Sequence, residues 1–201
     1  MNLDQMGRVQ RRRFVPSQSL KQWRNDRMPR LQEVENQCAA TSSLVAANPR
    51  LADENLRGYT VLLSAHFQGF CRDLHTECSM FLGSLIRRSD LKILIQAQFY
   101  NHRALDQGNA NLDNLRKDFK RFDLNFDLSK DPANQSLLSD LAVLNKWRNI
   151  VAHQGDVPSP GFPNLTTLRS WQSSCDSLAT SLDKMMYNRL RALGSKRPWK
   201  P

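Results

Sequence analysis

Arg148 and His153 are two residues whose types and close spacing could carry out a reaction. An arginine guanidinium keeps its positive charge and can donate two parallel hydrogen bonds to a phosphoryl group. A histidine imidazole takes up and releases a proton near neutral pH. These two groups could cleave RNA without a metal, because the ribose 2′-hydroxyl is an internal nucleophile that needs only to be deprotonated. The arginine would then neutralise the charge that builds on the phosphoryl oxygens.

The pair lies at the end of a predicted amphipathic helix that begins after Asp131 and Pro132. The apolar face of this helix consists of Leu137, Leu141, Leu144 and Val151. Arg148 falls in the middle of that face, and His153 follows it near the helix stop at Gly155. A buried guanidinium needs a carboxylate, a subunit boundary or an anionic ligand. The alternative to a catalytic role is a structural salt bridge of Arg148 beside a hydrogen-bonded core histidine.

Other periodic segments predict further long helices around this one. Apolar residues after Pro49, from Leu56 to Leu85, recur at steps of three and four and predict a core-facing helix of about nine turns. One or two helices are expected to fill residues 17–46, with Pro29 as a kink or break. The last helix is expected to begin after an Asn164 cap, and its stripe contains Leu165, Leu168, Trp171, Cys175, Leu178, Leu182, Met185 and Leu193.

The middle of the chain predicts two shorter helices. Asp90 is expected to cap a helix from Leu91 to about Ala104, although its LKILI segment read alone could be a strand. A polar bend near Gly108 precedes an amphipathic helix whose apolar residues are Leu112, Leu115, Phe119 and Phe122. Glycine and proline residues predict a loop at 155–163.

Together these segments predict an all-α fold, a bundle of long antiparallel helices around one core. A length of 201 residues fits one such domain, placed at residues 16–194. Residues 1–15 are expected to form a basic flexible arm that contains Arg8, Arg11, Arg12 and Arg13. Residues 195–201 are expected to form a flexible tail.

Composition narrows the classes of partner and compartment. With 29 Lys and Arg against 19 Asp and Glu, the net charge of +10 favours polyanions, but does not choose among RNA, DNA and anionic membrane. No apolar run approaches the roughly 18 residues needed to cross a bilayer, and the start lacks a secretory signal. We therefore expect a cytoplasmic protein without a membrane partner. The cysteines Cys38, Cys71, Cys78 and Cys175 form no CxxC pair and are expected to be buried, reduced thiols.

Two segments resemble a known family. The segment WRNIVAHQG, which contains Arg148, Asn149 and His153, closely resembles the Arg-Asn-x3-His segment of the HEPN superfamily. The upstream segment RGYTVLLSAHFQGFCRDL resembles the long helix of the branch named RiboL-PSP, which often carries an acidic residue near its middle. Gln68 stands at the corresponding position here, which departs from the pattern of that branch.

The resemblance implies an all-α HEPN-like homodimer in which two motifs face each other across a shared cleft. It implies a metal-independent endoribonuclease of the toxin, abortive-infection or antiphage type, which needs no cofactor. Arg148 and His153 would be its catalytic residues, and Asn149 would support the substrate or the opposing subunit. RNA is the expected substrate, and an antitoxin or another regulatory protein is a further expected partner. The alternative is a non-catalytic HEPN module that binds RNA or a protein.

Several other residue groups have both a functional and an ordinary interpretation. Cys71, His75 and Cys78 could point the same way along a helix as metal ligands do, but no fourth ligand is apparent, and we predict no metal site. His66 and Gln68 could line an RNA cleft or be ordinary polar residues of a helix. The runs Arg11–Arg13 and Arg116–Arg121 could follow a phosphate backbone or be solvated. Trp147 and Trp171 are expected to pack rather than to stack on bases.

Overall fold

The computed structural model describes residues 14–42, 48–153, 161–194 and 196–199. The described residues form helices and connecting turns, and no strand occurs among them, so the predicted all-α fold is confirmed. In chain order the α-helices are α1 (Gln18–Gln22), α2 (Met28–Ser42), α3 (Pro49–Ser84), α4 (Ser89–Tyr100), α5 (Ala104–Gln107), α6 (Leu112–Phe119), α7 (Gln135–Ala152) and α8 (Leu165–Leu193). A π-helical turn, Trp23–Arg27, joins α1 to α2, and 3-10 turns at Leu128–Lys130 and Pro132–Asn134 precede α7.

Helix α3 is the central element, as its spacing predicts. Asn48 caps it by accepting a hydrogen bond from the Leu51 N–H, and Pro49 occupies the first turn, where its missing N–H costs nothing. Thirty-six residues give it a length of about 54 Å. Its buried face includes Tyr59, Leu63, Phe67, Phe70, Leu74 and Cys78. Helices α2, α4, α7 and α8 all pack against it.

The expected kink or break at Pro29 is not a break, because α2 runs through that residue. The π-helical turn lies just before it, and the Met28 N–H donates to the Trp23 carbonyl five residues back. A proline ring clashes with the carbonyl four residues before it in a regular α-helix. The wider π turn gives that carbonyl room, so α2 continues through Pro29.

Helices α7 and α8 run antiparallel. The Ser174 hydroxyl donates to Asp140 at 2.6 Å, and the Asn134 amide donates to Ser181 at 3.1 Å. Asn164 caps α8 through the Thr167 N–H, and the helix ends at Gly194, as predicted. The predicted stripe is wrong at Leu193, which is 46% exposed, whereas Met185 is partly buried and packs against the core. Repeated steps of four after Leu178 place Met186 and Leu190 in the buried face and carry it away from Leu193.

Helix α4 has different ends from those predicted. Asp90 is not its cap but lies in the first turn, where it pairs with Arg88, and the helix ends at Tyr100 rather than near Ala104. The guanidinium of Arg121, on the turn after α6, donates to the carbonyls of Gln98, Phe99, Asn101 and His102 at 2.7–3.0 Å. These bonds satisfy the carbonyls at the helix terminus. The LKILI segment is helical, yet Ile93 is 67% exposed.

The basic segment Arg116–Arg121 contributes two of its cations to the fold. Arg116 donates to Asp127 and to the Ser129 hydroxyl at 2.9 Å, and Arg121 binds the end of α4. Lys117 and Lys120 remain exposed. The segment is therefore less of a continuous basic stripe than its sequence indicates.

His75 and the cysteines lie in the core. His75 is fully buried and its ring meets those of Phe99, Phe119 and Phe122 edge-on. Burial lowers the pKa of His75 to about 3, so its imidazole is neutral at physiological pH. All four cysteines are buried thiols, and burial raises the pKa of Cys71 and Cys78. Within the described residues, no cluster of three His, Cys, Asp or Glu side chains could hold a metal ion.

Trp199 packs beside the last turns of α3. Trp199 is 3% exposed and meets the Phe81 ring edge-on, so its indole is packed although it belongs to the expected flexible tail. The basic arm falls almost entirely outside the described residues. No helix among the described residues is both long and apolar enough to span a bilayer.

Candidate functional site

Helix α7 brings Arg148, Asn149 and His153 together at its C-terminal end. His153 is the residue that caps the helix, and its backbone N–H donates to the Asn149 carbonyl at 3.0 Å. Asn145, Asn149 and His153 follow one another at intervals of four, so their side chains start from one side of the helix. Arg148 stands next to Asn149. The His153 side chain is exposed at the surface, where a substrate can reach it.

Arg148 is half-buried and has an unusual set of contacts for this protein. Its guanidinium donates one hydrogen bond, from Nη1 to the Asn149 Oδ1 at 3.2 Å. Within the described part of the chain, no carboxylate lies in ion-pair range of Arg148. By contrast, Arg57, Arg116 and Arg169 all form ion pairs of 2.9 Å or less. Among the described residues the other donors of Arg148 have no partner, which suits the binding of an anion.

A bend between α5 and α6 packs against this end of α7. The Asn109 amide donates to the Asn149 Oδ1 at 2.8 Å, and the Asn145 amide donates to the Ala110 carbonyl at 3.2 Å. The Ser64 hydroxyl of α3 donates to the Asn145 Oδ1 at 3.2 Å. These bonds connect α3, the bend and α7, and they fix the face of α7 that carries the motif.

Gln68 belongs to the support of this bend. Its amide donates to the carbonyls of Leu105 and Gly108, at 2.7 and 2.8 Å. A carboxylate accepts hydrogen bonds and has none to donate, so an acidic residue here would face two carbonyl oxygens without a proton between them. This geometry explains why an amide suits the position where the RiboL-PSP pattern often has an acid.

His66 lies two residues before Gln68 and also contacts the rest of the fold through its backbone. Its carbonyl accepts a hydrogen bond from Arg27 at 2.7 Å. Burial, with Arg27 and Arg30 nearby, lowers the pKa of the His66 imidazole. A role for His66 in an RNA cleft stays a prediction.

Replacing Gln68 with Glu is expected to lower the free energy of unfolding by about 2 kcal/mol, because two donor bonds are lost and a charge is brought against two carbonyls. Urea unfolding at neutral pH measures this change. The exposed Gln107 offers a matched control, because Gln107→Glu introduces the same charge at the end of α5 and should change stability by less than 0.5 kcal/mol or so. Equal stabilities of Gln68→Glu and wild type would show that the two bonds do not support the bend.

The tryptophans of this region pack as predicted. Trp147 of α7 meets the Phe162 ring edge-on, with ring centroids 5.1 Å apart, and the Arg57 guanidinium lies 5.2 Å from the centre of the same ring. Trp171 is buried in α8. Phe162 thus attaches the chain to α3 and α7 just before α8. Of the predicted loop 155–163, residues 155–160 lie outside the described residues.

The sequence predicts Arg148, Asn149 and His153 as site residues, but it did not point to the residues that hold this end of α7 in place. Asn109, Asn145 and Ser64 are polar residues with no motif of their own. The segment GNANLDN at 108–114 contains three asparagines within a predicted bend. Asparagine side chains bond readily to nearby backbone in bends, so this cluster was the available signal.

An all-helical bundle with an Arg-x4-His pair at the end of a late helix has the architecture of the HEPN class. The chain matches the RiboL-PSP-HEPN family over residues 24–188, and it belongs to that family. The match extends from the π-helical turn to α8 and includes the motif, and it confirms the resemblance of the two sequence segments. Comparisons with curated proteins and with solved structures gave no match. HEPN domains are commonly ribonucleases, so membership indicates an RNA-related function.

Proposed function

We propose that this protein is a metal-independent endoribonuclease, with His153 as its acid–base group and Arg148 as its phosphate clamp. The observation that carries the proposal is the half-buried Arg148 guanidinium, which has no carboxylate in ion-pair range among the described residues and lies five positions before an exposed histidine. A cation held in this way suits an anionic ligand.

The reaction begins when His153 takes the proton of the ribose 2′-hydroxyl. The 2′-oxygen attacks the adjacent phosphorus, the bond from phosphorus to the 5′-oxygen breaks, and the leaving 5′-oxygen receives the proton that His153 has taken up. The products are a 2′,3′-cyclic phosphate and a free 5′-hydroxyl, so atoms balance without water or metal. Donors of Arg148 stabilise the negative charge that grows on the phosphoryl oxygens.

The proposed active form is a homodimer with one motif from each subunit in a shared cleft. A surface cavity of about 540 Å³ is lined by residues of α1, α3 and the C-terminal segment. The motif residues do not line this cavity, so it is not the proposed cleft. Leu62 of α3 and Val143 of α7 are 40% and 39% exposed, on two helices that pack against each other and of which α7 carries the motif. A second subunit that covers this surface would complete the cleft and bury both side chains.

A charge at this surface is therefore expected to disrupt the dimer. Leu62→Glu should shift the protein from dimer to monomer in sedimentation experiments at micromolar concentration and should lower RNA cleavage. Ile93→Glu is the matched control, since Ile93 is also exposed but lies on α4, near the opposite end of α3. A wild-type protein that sediments only as a monomer and cleaves RNA at its full rate would contradict the shared-cleft arrangement.

Cleavage of single-stranded RNA in the presence of a chelator tests the proposed activity. We expect the wild-type protein to cut, and His153→Ala to leave the RNA intact. A non-catalytic HEPN module would bind RNA or a protein partner and leave RNA uncut. A protein that binds nucleic acid by its net charge alone would show a steep loss of binding with salt and no dependence on His153.

A toxin, abortive-infection or antiphage role accompanies this proposal, because an unregulated ribonuclease would damage the RNA of its own cell. An antitoxin or another regulatory protein would then restrain the activity. Net charge of +10 suits both the RNA substrate and an acidic partner.

A further inference from the structure

We infer that Asn109 is a positioning residue that holds the Asn149 amide in one orientation, with its NH2 group directed to a non-bridging phosphate oxygen of the RNA. This inference rests on the proposed function and extends it to two residues outside the Arg-x4-His pair. Asn109 lies 40 positions before Asn149, on the bend between α5 and α6.

The Asn149 side-chain oxygen has two acceptor sites. One is filled by the Asn109 Nδ2 at 2.8 Å and the other by the Arg148 Nη1 at 3.2 Å. An amide oxygen has two lone pairs, so both donors together occupy it. The amide group of Asn149 therefore cannot rotate by half a turn without losing both bonds. Its NH2 group has no hydrogen-bond partner among the described residues, and the residue is exposed.

Asn109 can impose this orientation because its own backbone is fixed. The Asn109 carbonyl accepts hydrogen bonds from the Asn114 Nδ2 and from the Asn111 N–H, both at 2.8 Å. The neighbouring Gly108 carbonyl is held by Gln68 of α3. The Asn109 side chain that donates to Asn149 thus starts from a backbone that is itself held by hydrogen bonds.

The resulting surface offers donors to its ligand. The Asn149 NH2 group and the remaining guanidinium N–H groups of Arg148 belong to two side chains that are bonded to each other, and the Asn149 oxygen is occupied by its two donors. A phosphodiester, whose non-bridging oxygens accept hydrogen bonds and carry the charge, matches such a surface. Without Asn109, the amide could turn its oxygen outward and repel the phosphate.

A double-mutant cycle measures the coupling between the two asparagines. The readouts are the affinity for a fluorescent 2′-O-methyl RNA, which lacks the nucleophile and cannot be cut, and the KM for cleavable RNA. Asn149→Ala is expected to weaken binding by roughly tenfold, and Asn109→Ala by about three- to tenfold. The double variant should bind no more weakly than Asn149→Ala alone, since Asn109 acts through Asn149. Asn109→Ser, which keeps a donor, should regain part of the loss, and the pH profile of kcat should not move.

Asn125→Ala is the matched control, because Asn125 is an exposed asparagine on the turn after α6 and its printed hydrogen bonds involve only its backbone. If Asn125→Ala weakens RNA binding as much as Asn109→Ala, the loss is not specific to Asn109 and the inference is wrong. Additive losses in the double variant would also overturn it, as would unchanged binding by Asn109→Ala. Coupled losses of binding in a protein that cuts no RNA would uphold the inference and refute the proposed catalysis. Cleavage without coupling would do the reverse.

Discussion

Replacing His153 with Ala should lower the rate of RNA cleavage by about 10²- to 10⁴-fold, the usual contribution of a positioned acid–base group. The fold should stay intact, because His153 is exposed and its bond to the helix comes from the backbone N–H, which alanine retains. Single-turnover cleavage measures the rate, and thermal unfolding measures stability on the same preparation.

His102 provides the control for this variant. It is another exposed histidine, on the turn after α4, with a positive φ of 54° that asparagine tolerates well. His102→Asn should therefore keep both the cleavage rate and the unfolding temperature. Cleavage by His153→Ala at the wild-type rate per folded molecule would place the acid–base group elsewhere.

Arg148→Lys should lower kcat/KM by about 10²-fold or more, although it keeps the positive charge. Lysine lacks the planar fork that can bridge two phosphoryl oxygens, and loss of one such donor typically costs that much. The variant also weakens the hold on the Asn149 oxygen. Arg87→Lys, on an exposed turn before α4, is the control for the same chemical change. Steady-state kinetics on single-stranded RNA measure both variants.

A structural role for the pair would produce a different pattern. Both His153→Ala and Arg148→Lys would then lose several degrees of thermal stability and dissociate to monomers, while cleavage per folded molecule would persist. That result would contradict the catalytic assignment of Arg148 and His153 and would leave them as residues of the subunit interface.

The long helices were predictable because local pattern determines them. Apolar steps of three and four specify α3, and a capping asparagine with a terminal glycine specifies the ends of α8. The ends of α4 were not predictable from local pattern, because Arg121, some twenty residues later, donates to the carbonyls at the end of the helix. Such a contact leaves no mark on the periodicity of α4 itself.

The candidate site divides in the same way. Arg148 and His153 are five positions apart, so their sequence spacing already brings them together at one helix end. Asn109 and Gln68 come from other elements, and their partners are set by packing between α3, the bend and α7. Gln68 departs from the pattern of the family branch, which often has an acidic residue at this position. The carbonyl oxygens of Leu105 and Gly108, to which its side chain donates, explain why an amide is present.

Cleavage at one mapped position of an RNA, in the presence of chelator, tests the central claim most directly. The substrate is compared with the same RNA in which the ribose at that position has hydrogen in place of its 2′-hydroxyl. We expect the unmodified RNA to be cut there to a 2′,3′-cyclic phosphate and a 5′-hydroxyl. The modified RNA should be cut at its other sites but not at this one. Cleavage of the modified position at a comparable rate would contradict a reaction in which His153 deprotonates the 2′-hydroxyl.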